Sequence, residues 1–427
     1  MGGVVPEPIG GDISDETGTG EPFGGEAPTR RSALSVALAV AVAHGLNDAY
    51  SAFLPPLLPR IMDRLGLSIA LAATLAMTLS LAASLAQPLL GWLADRFGRR
   101  GFVILGPLLS GIFMSLIGAA PSFALLVAVL VLAGLGSAMF HPPGASIAAR
   151  AAEGQGSGLR LSFFSFGGSF GYAMGPMIAV GLVAWRGLDG LWIAMLPAIA
   201  LALTMAALLP AERAQGPRTP PPRPIEVLRL LRGPLGLVFG ISAAGAFMQR
   251  VFLTLEPIIV AERGGSEALG ALALTAYLAG QALGSLTGGT LADRVDRRRL
   301  LTTLAMLAFP AHALALGLAP GSAPALAFAF LSGLFQMALL PPIVVIAQEI
   351  LPAGAALGSG IVMGLAWATG SIGVLGAGAL GDAIGPRAAA LVATPAILLA
   401  AVLALQPGLR AYRRPRGAGR IEESGSS

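Results

Sequence analysis

Two short stretches of this chain carry side chains that could move a proton or hold a charged ligand. Asp48 stands inside an apolar run over 33–56, with Asn47 beside it and His44 four residues earlier. On a helix, residues four apart share a face, so the imidazole and the carboxylate are neighbours. An ionisable group in the middle of such a run is costly to bury and marks a functional site. A carboxylate in a low-dielectric cavity can take up and release protons near neutral pH. Proton coupling by Asp48 and His44 is therefore one reading; a static hydrogen-bonded network that fixes neighbouring helices is the other. The second stretch, 234–260, carries Arg250 and Glu256. Six residues apart, they face in different directions and do not pair within one helix. Arg250 could pair with Asp48 across a cavity, pair with Glu256 through a neighbour, or hold an anionic substrate, with Asn47 and Glu256 supplying further polar contacts. His141 ends another apolar run before Pro142-Pro143, where it relays protons, touches substrate, or caps the helix. His312 stands alone and reads as structural. Glu349 reads as a partner of loop backbone or of Arg150 or Arg160, and Asp382 is assigned no role.

These residues are rare exceptions in an apolar chain. Of 427 residues, 55% are hydrophobic and 11% charged, against about 25% charged in soluble domains. Charge is also segregated between long uncharged stretches, as a bilayer requires. Apolar segments run at about 33–56, 68–93, 101–119, 122–141, 158–184, 190–210, 234–260, 267–292, 300–319, 323–347, 354–380 and 386–406. Each is near the ~20 residues that cross a bilayer as a helix. Residues 1–29 are acidic and rich in Gly and Pro, and read as a disordered tail without a secretory signal. The stretch 211–233 reads as a linker between a bundle over 30–210 and a second over 234–406, and 407–427 as a polar tail.

All 27 basic residues are Arg, and their placement sets an orientation. With the N-terminus inside, most of them fall on that side: Arg30 and Arg31, the clusters at 96–100 and 294–299, the linker and the C-terminal tail. Arg60, Arg64, Arg186, Arg263 and Arg387 fall outside, and Arg250 lies within a segment. The positive-inside rule then puts both termini in the cytoplasm and the chain in the inner membrane. The same rule accounts for the net charge of +5 without nucleic acid as a partner. The chain has no Cys, which excludes disulfides and thiolate chemistry. Three His without acidic clusters name no metal site, and no cofactor is expected. The Gly-rich stretches lack the Lys-Ser/Thr of a phosphate loop, so the energy source is an ion gradient rather than ATP.

The two halves repeat. Gly91-Trp92-Leu93-Ala94-Asp95-Arg96 aligns with Gly289-Thr290-Leu291-Ala292-Asp293-Arg294 at an offset of 198 residues. Gly134 and Pro142-Pro143 align with Gly333 and Pro341-Pro342 at 199, and Gly168-Ser169-Phe170-Gly171 with Gly370-Ser371-Ile372-Gly373 at 202. Pro55 aligns with Pro257, and Asn47-Asp48 with Gln249-Arg250, also at 202. Two homologous six-helix halves related by an axis along the membrane normal are expected.

Gly91-Trp92-Leu93-Ala94-Asp95-Arg96-Phe97-Gly98-Arg99-Arg100 resembles the cytoplasmic signature of the major facilitator superfamily, with a degraded copy at 293–299 in which Asp296 replaces the Gly. The resemblance implies an all-α membrane protein of twelve transmembrane helices in two pseudo-symmetric six-helix bundles. It implies a cavity lined by segments 1, 4, 7 and 10, and a latch at Gly91, Asp95, Arg96, Gly98 and Arg99 that closes the inner gate. Gly171-Tyr172-Ala173-Met174-Gly175-Pro176 on segment 5 offers small residues four apart for close packing and a Pro that can bend the helix. Gly171, Gly175 and Pro176 also resemble the core of a motif of the superfamily's drug antiporters, with Ser162 and Ala179-Val180 departing from it.

A narrower resemblance is to the fosmidomycin-resistance efflux family. It rests on His44-Gly45-Leu46-Asn47-Asp48, Gln87-Pro88, Phe140-His141-Pro142 and Gln348-Glu349-Ile350-Leu351-Pro352. That family tends to follow His-Pro with Glu, where this chain has Pro143. The reading is a proton-coupled antiporter, not an enzyme, that exports small amphipathic compounds by alternating access and works as a monomer in the lipid bilayer. The rivals are a proton symporter importing a metabolite or organic anion, and a non-transporting membrane sensor.

Overall fold

The first apolar segment breaks at Ala52-Phe53, just before Leu54-Pro55-Pro56. Proline lacks the backbone N–H that would continue the ladder but is tolerated in a helix's first turn. In the computed structural model, which describes residues 30–151, 157–209, 224–352 and 355–412, α1 (Arg30–Ser51) therefore ends there and α2 (Leu54–Leu65) begins. The acidic tail 1–29, linker residues 211–223 and the tail from 413 lie outside the described residues. Span 2 is α3 (Ile69–Leu85) and α4 (Gln87–Phe97), which meet at Ala86 before Pro88; span 3 is α5 (Arg99–Ser115). Span 4 is α6 (Phe123–Ala151), span 5 is α7 (Ser157–Arg186) and span 6 is α8 (Met195–Leu208), entered through a 3₁₀ turn. A short α9 (Pro224–Leu230) lies within the expected linker.

The second half repeats the set. Span 7 is α10 (Pro234–Glu262), span 8 is α11 (Glu267–Ala292) and span 9 is α12 (Arg297–Gly317). Span 10 is α13 (Ala323–Met337) with α14 (Leu340–Ile350), separated before Pro341-Pro342. Span 11 is α15 (Ala355–Gly360), a π turn over Ile361–Leu365 and α16 (Ala366–Ile384); span 12 is α17 (Pro386–Ala393) with α18 (Leu398–Ala404). Eleven of these are long and apolar enough to cross a membrane, and α1 with α2 makes the twelfth. No strand occurs among the described residues.

The pairings repeat as well. Span 1 packs on 5 as 7 packs on 11; 2 on 4 as 8 on 10; 3 on 4 as 9 on 10; and 3 on 6 as 9 on 12. Two six-helix bundles of the same plan result, joined where span 2 meets 11 and span 5 meets 8. Large apolar side chains remain on the outside, among them Val42, Trp185, Leu203, Leu286 and Val392. A helix that is apolar all round belongs in lipid.

Twelve crossings return the chain to the face on which it began, called here the terminal face. At the opposite, far face the halves are shut against each other. α2 packs on α10 and α11, with Leu54, Leu57, Leu58 and Ile61 meeting no solvent. Arg60 reaches Glu267 across the halves at 2.5 Å. Arg60 and Arg64 were expected in a loop; α2 instead runs helical to Leu65 because Gly66 ends it with a left-handed conformation (φ 63°). Arg64 bonds Asp189 at 2.6 Å.

Candidate functional site

The site depends on how close span 5 comes to span 1. Gly167, Gly171 and Gly175 lie four apart on α7 and face the carbonyls of Ala41, Gly45 and Ala49 on α1. A Cβ on Gly171 would stand 1.8 Å from the Gly45 carbonyl oxygen, so only glycine allows the contact. Pro176 sits within α7 and does not end it. The same closeness brings α7 over His44: the ring lies where a Gly168 Cβ would be, and stacks on Phe164 at 4.2 Å. Ser162 has no described side chain.

Spans 1, 4 and 5 then enclose one polar group. Asp48 presents Oδ2 to His44 Nε2 and Oδ1 to His141 Nε2, each at 3.2 Å. Asn47 donates to Asp48 Oδ1 at 3.0 Å and to Ser137 Oγ at 3.2 Å. Both imidazoles are held from behind. His44 Nδ1 lies 2.8 Å from the Phe164 carbonyl, and His141 Nδ1 lies 2.8 Å from the Ser137 carbonyl. A carbonyl can only accept, so both Nδ1 atoms carry hydrogen. Both Nε2 atoms are then bare in a neutral ring, and each faces a carboxylate oxygen. Lone pair meets lone pair unless a proton lies between them. The geometry thus has two seats for protons, one on each side of Asp48.

The group is partly exposed and is sealed on one side. Asp48, His44 and His141 are 18%, 13% and 30% exposed, while Ala49, Tyr50, Phe53 and Leu54 beyond them toward the far face are sealed. The opening is therefore toward the terminal face. The donor atoms of His44, Asp48 and His141 lie within 4.8 Å of one another, a spacing that a metal ion could also occupy. The sequence named no metal site because the third member, His141, comes from a distant helix.

The second half presents a different chemistry. Arg250 is half-buried on α10 and makes no hydrogen bond or ion pair among the described residues. The expected pairing with Asp48 is absent in this conformation, since the two imidazoles occupy both carboxylate oxygens. Glu256 is buried, with Oε2 unpartnered, and does not pair with Arg250. A polar chain that the sequence reading missed links spans 7, 8 and 10. Gln249 donates to Gln281 at 3.1 Å, Gln281 to Gln336 at 2.8 Å, Tyr277 to Gln336 at 2.7 Å, and Gln336 to the Gly245 carbonyl at 3.0 Å. The available signal was an amide inside an apolar helix, which lipid disfavours unless it is paired. His312 bonds its own helix at Ala308 and packs edge-on to Phe252 and Tyr277.

The stretch 91–100 makes the connection between spans 2 and 3. Gly91 lies against Pro142 of span 4, where a Cβ would come within 3.1 Å. Gly98 takes φ 99°, a conformation that favours glycine, and turns the chain into α5. Asp95 Oδ1 accepts from Arg99 at 2.7 Å one turn on, and Arg96 lies over Trp92 at 5.6 Å. Glu349 is bonded by Arg297 at 2.9 Å, a partner not anticipated. Asp382, assigned no role, accepts two backbone N–H groups from the other half, Ile69 at 2.8 Å and Ala70 at 3.0 Å.

Known proteins agree with this architecture. The family described as the Major Facilitator Superfamily matches residues 40–255 and 235–425. An uncharacterized MFS-type transporter, YfnC of Bacillus subtilis, is 29% identical over 388 residues, covering 86% of this chain and 92% of that one. The fosmidomycin resistance protein of Escherichia coli K12 is 25% identical over 311 residues, covering 69% and 74%. Among solved structures, a bacterial homolog of the human lysosomal transporter Spinster, inward-facing and occupied, superposes with TM-score 0.73 at 18% identity over 88% of this chain and 97% of that one.

Proposed function

The chain belongs to the major facilitator superfamily, a multi-pass membrane transporter rather than an enzyme or a sensor, and from that premise we propose that it is a proton-coupled antiporter exporting small amphipathic compounds. The carrying observation is the pair of proton seats around Asp48. With the carboxylate ionised and both rings neutral, two repulsive contacts remain; protons entering from outside relieve them. In the present state the group opens toward the terminal face, which the Arg distribution supports as cytoplasmic in an inner membrane. Release of protons there, with the cargo taken up in the vacated cavity, gives export against the proton gradient. Asp48 and His44 carry the coupling; His141 shares the second proton; Asn47 orients Asp48. The latch at Asp95, Arg96 and Arg99 closes this face in the opposite state, and Gly171, Gly175 and Pro176 keep span 5 against span 1 while the halves rock. One chain holds the whole site, which supports a monomer.

Fosmidomycin, named in the Escherichia coli relative, is the first probe. Cells expressing the chain should survive higher concentrations of it. In everted vesicles energised to acidify the lumen, adding fosmidomycin should dissipate the proton gradient. Protection with no proton movement would sink the coupling. A panel of other amphipathic compounds extends the test if fosmidomycin is not carried.

A second reading is favoured by Arg250, a half-buried cation without a hydrogen-bond or ion-pair partner among the described residues: a proton symporter that imports an organic anion onto it. Uptake would sensitise cells where export protects them, so the same survival assay separates the two.

A further inference from the structure

Asp382 belongs to a stretch that repeats the gate signature on the opposite face. Gly378-Ala379-Leu380-Gly381-Asp382-Ala383-Ile384-Gly385-Pro386-Arg387 places Gly, Leu, Asp, Gly and Arg at the spacing of Gly91, Leu93, Asp95, Gly98 and Arg100. The three-dimensional parts agree as well. Gly98 (φ 99°, ψ 130°) and Gly385 (φ 86°, ψ 149°) share a left-handed turn at the start of a helix. Arg100 donates to the carbonyls of Leu209 and Ala206 at the end of span 6, at 3.0 and 2.6 Å. Arg387 donates in the same way to Leu316 and Gly317 at the end of span 9. The degraded copy follows suit, with Arg298 reaching the carbonyls of Ala404 and Leu405 at the end of span 12. The first two copies lie at the terminal face, between spans 2 and 3 and between spans 8 and 9. The third lies between spans 11 and 12, at the far face.

We infer that Gly378, Asp382, Gly385 and Arg387 form a second gate signature, whose Asp382 latches the far face shut. Gly385 and Arg387 fix the turn between spans 11 and 12 within the second half. Gly378 and Gly381 let α16 approach the start of α3: a Cβ on Gly378 would stand 2.6 Å from Ala73 Cβ, and one on Gly381 3.0 Å from Ile69 Cγ2. Asp382 then crosses to the first half and takes the N–H groups of Ile69 and Ala70. These are N–H groups of a helix's first turn, which have no partner within α3. A carboxylate there also meets the positive end of the helix dipole. Arg60 with Glu267 is another polar tie at this face. Neither tie can survive when the far face opens, so Asp382 biases the equilibrium between the two states of the carrier. The fourth equivalent place, between spans 5 and 6, keeps the turn glycine (Gly187, φ 74°) but has Trp185-Arg186 before it and no acidic residue there. The far-face latch is therefore single and lies in the second half.

The inference needs only that the two halves alternate, and not the proposed cargo or proton. The native chain has no Cys, so spin labels can be attached at chosen sites in the otherwise unaltered protein. Labels at Asp63→Cys and Arg263→Cys read the far face, and labels at Phe97→Cys and Val295→Cys read the terminal face. Without any substrate, Asp382→Ala should raise the ratio of far-open to far-closed protein about tenfold, the loss of one net charge-assisted bond or more. The far-face distance lengthens and the terminal-face distance shortens together. Asp382→Asn, which keeps one acceptor and the shape, should shift the ratio less and in the same direction. Ile69→Pro provides a second route, with Ile69→Val as its control: it deletes a latched N–H at a first helical position, where the extended Ser68 (ψ 167°) accommodates a following proline. A lowered melting temperature with unchanged distance distributions would make Asp382 a fold-stabilising cap and overturn the latch. If Asp382→Ala does not fold, Asp382→Asn and Ile69→Pro decide, and unchanged distances in both overturn it. A parent chain that carries none of the tested compounds, with the expected distance shift in its variants, leaves the latch standing and counts against the transport reading alone.

Discussion

Replacing Asp48 by Asn separates the proton seats from the shape of the pocket. The two side chains are nearly isosteric, but an amide brings its own hydrogens. Its NH₂ group can donate to one bare Nε2, and its oxygen can accept from Asn47, which already lies 3.0 Å from that position. The first removes one lone-pair conflict without any added proton, and the second keeps a bond that Asp48 already accepts. Asp48→Asn should therefore fold, with stability changed by less than about 1 kcal/mol, while the number of protons exchanged per cycle falls to zero. Asp48→Ala differs. It strands the inner hydrogen-bonding edges of His44, His141 and Asn47, at about 1–3 kcal/mol for each group left unsatisfied, and so should melt well below the parent. The assay is proton release from purified protein on adding a transported compound, followed with a pH indicator in weakly buffered solution beside a thermal melt. Full proton release from Asp48→Asn would refute the assignment. So would an Asp48→Asn variant that melts as low as Asp48→Ala, because the argument from hydrogen-bond accounting would then be wrong.

Gly171→Ala puts a methyl group 1.8 Å from the Gly45 oxygen and forces spans 1 and 5 apart by more than 1 Å; transport should fall at least tenfold with protein still in the membrane, as displacement of a placed group does. Arg250→Gln should abolish transport of anionic compounds and spare neutral ones, which competition assays with both classes would read. Gln336→Leu strands Tyr277, Gln281 and the Gly245 carbonyl; it should destabilise the detergent-solubilised protein by about 3 kcal/mol or more, measured as a loss of melting temperature. Asp95→Asn should lengthen the distance between labels at Phe97→Cys and Val295→Cys, and an unchanged distribution would remove Asp95 from the latch.

Much of this molecule is written along the chain. Lipid accepts only apolar helices with satisfied backbones, so runs near twenty residues long declare the spans, and the offset of about 200 residues declares the two halves. His44 and Asp48 were legible as a pair because four residues on a helix is a fixed distance. Gly98 was legible as a turn, since its residue type and its place between spans leave few conformations. Contacts made between helices were not legible. His141 joins Asp48 because span 4 crosses span 1 at that depth, which no spacing in the sequence encodes. Arg250 and Asp48 align in the repeat yet do not meet, because the imidazoles had already taken both carboxylate oxygens. Asp382 looked idle since its partners are backbone N–H groups, which every residue but proline offers and which therefore leave no mark in sequence. What the sequence by itself determined was which helices exist, that they fall into two halves and which residues must not face lipid. The tertiary structure alone decided which polar atoms meet, because that depends on close approaches set by glycine between helices far apart in the chain.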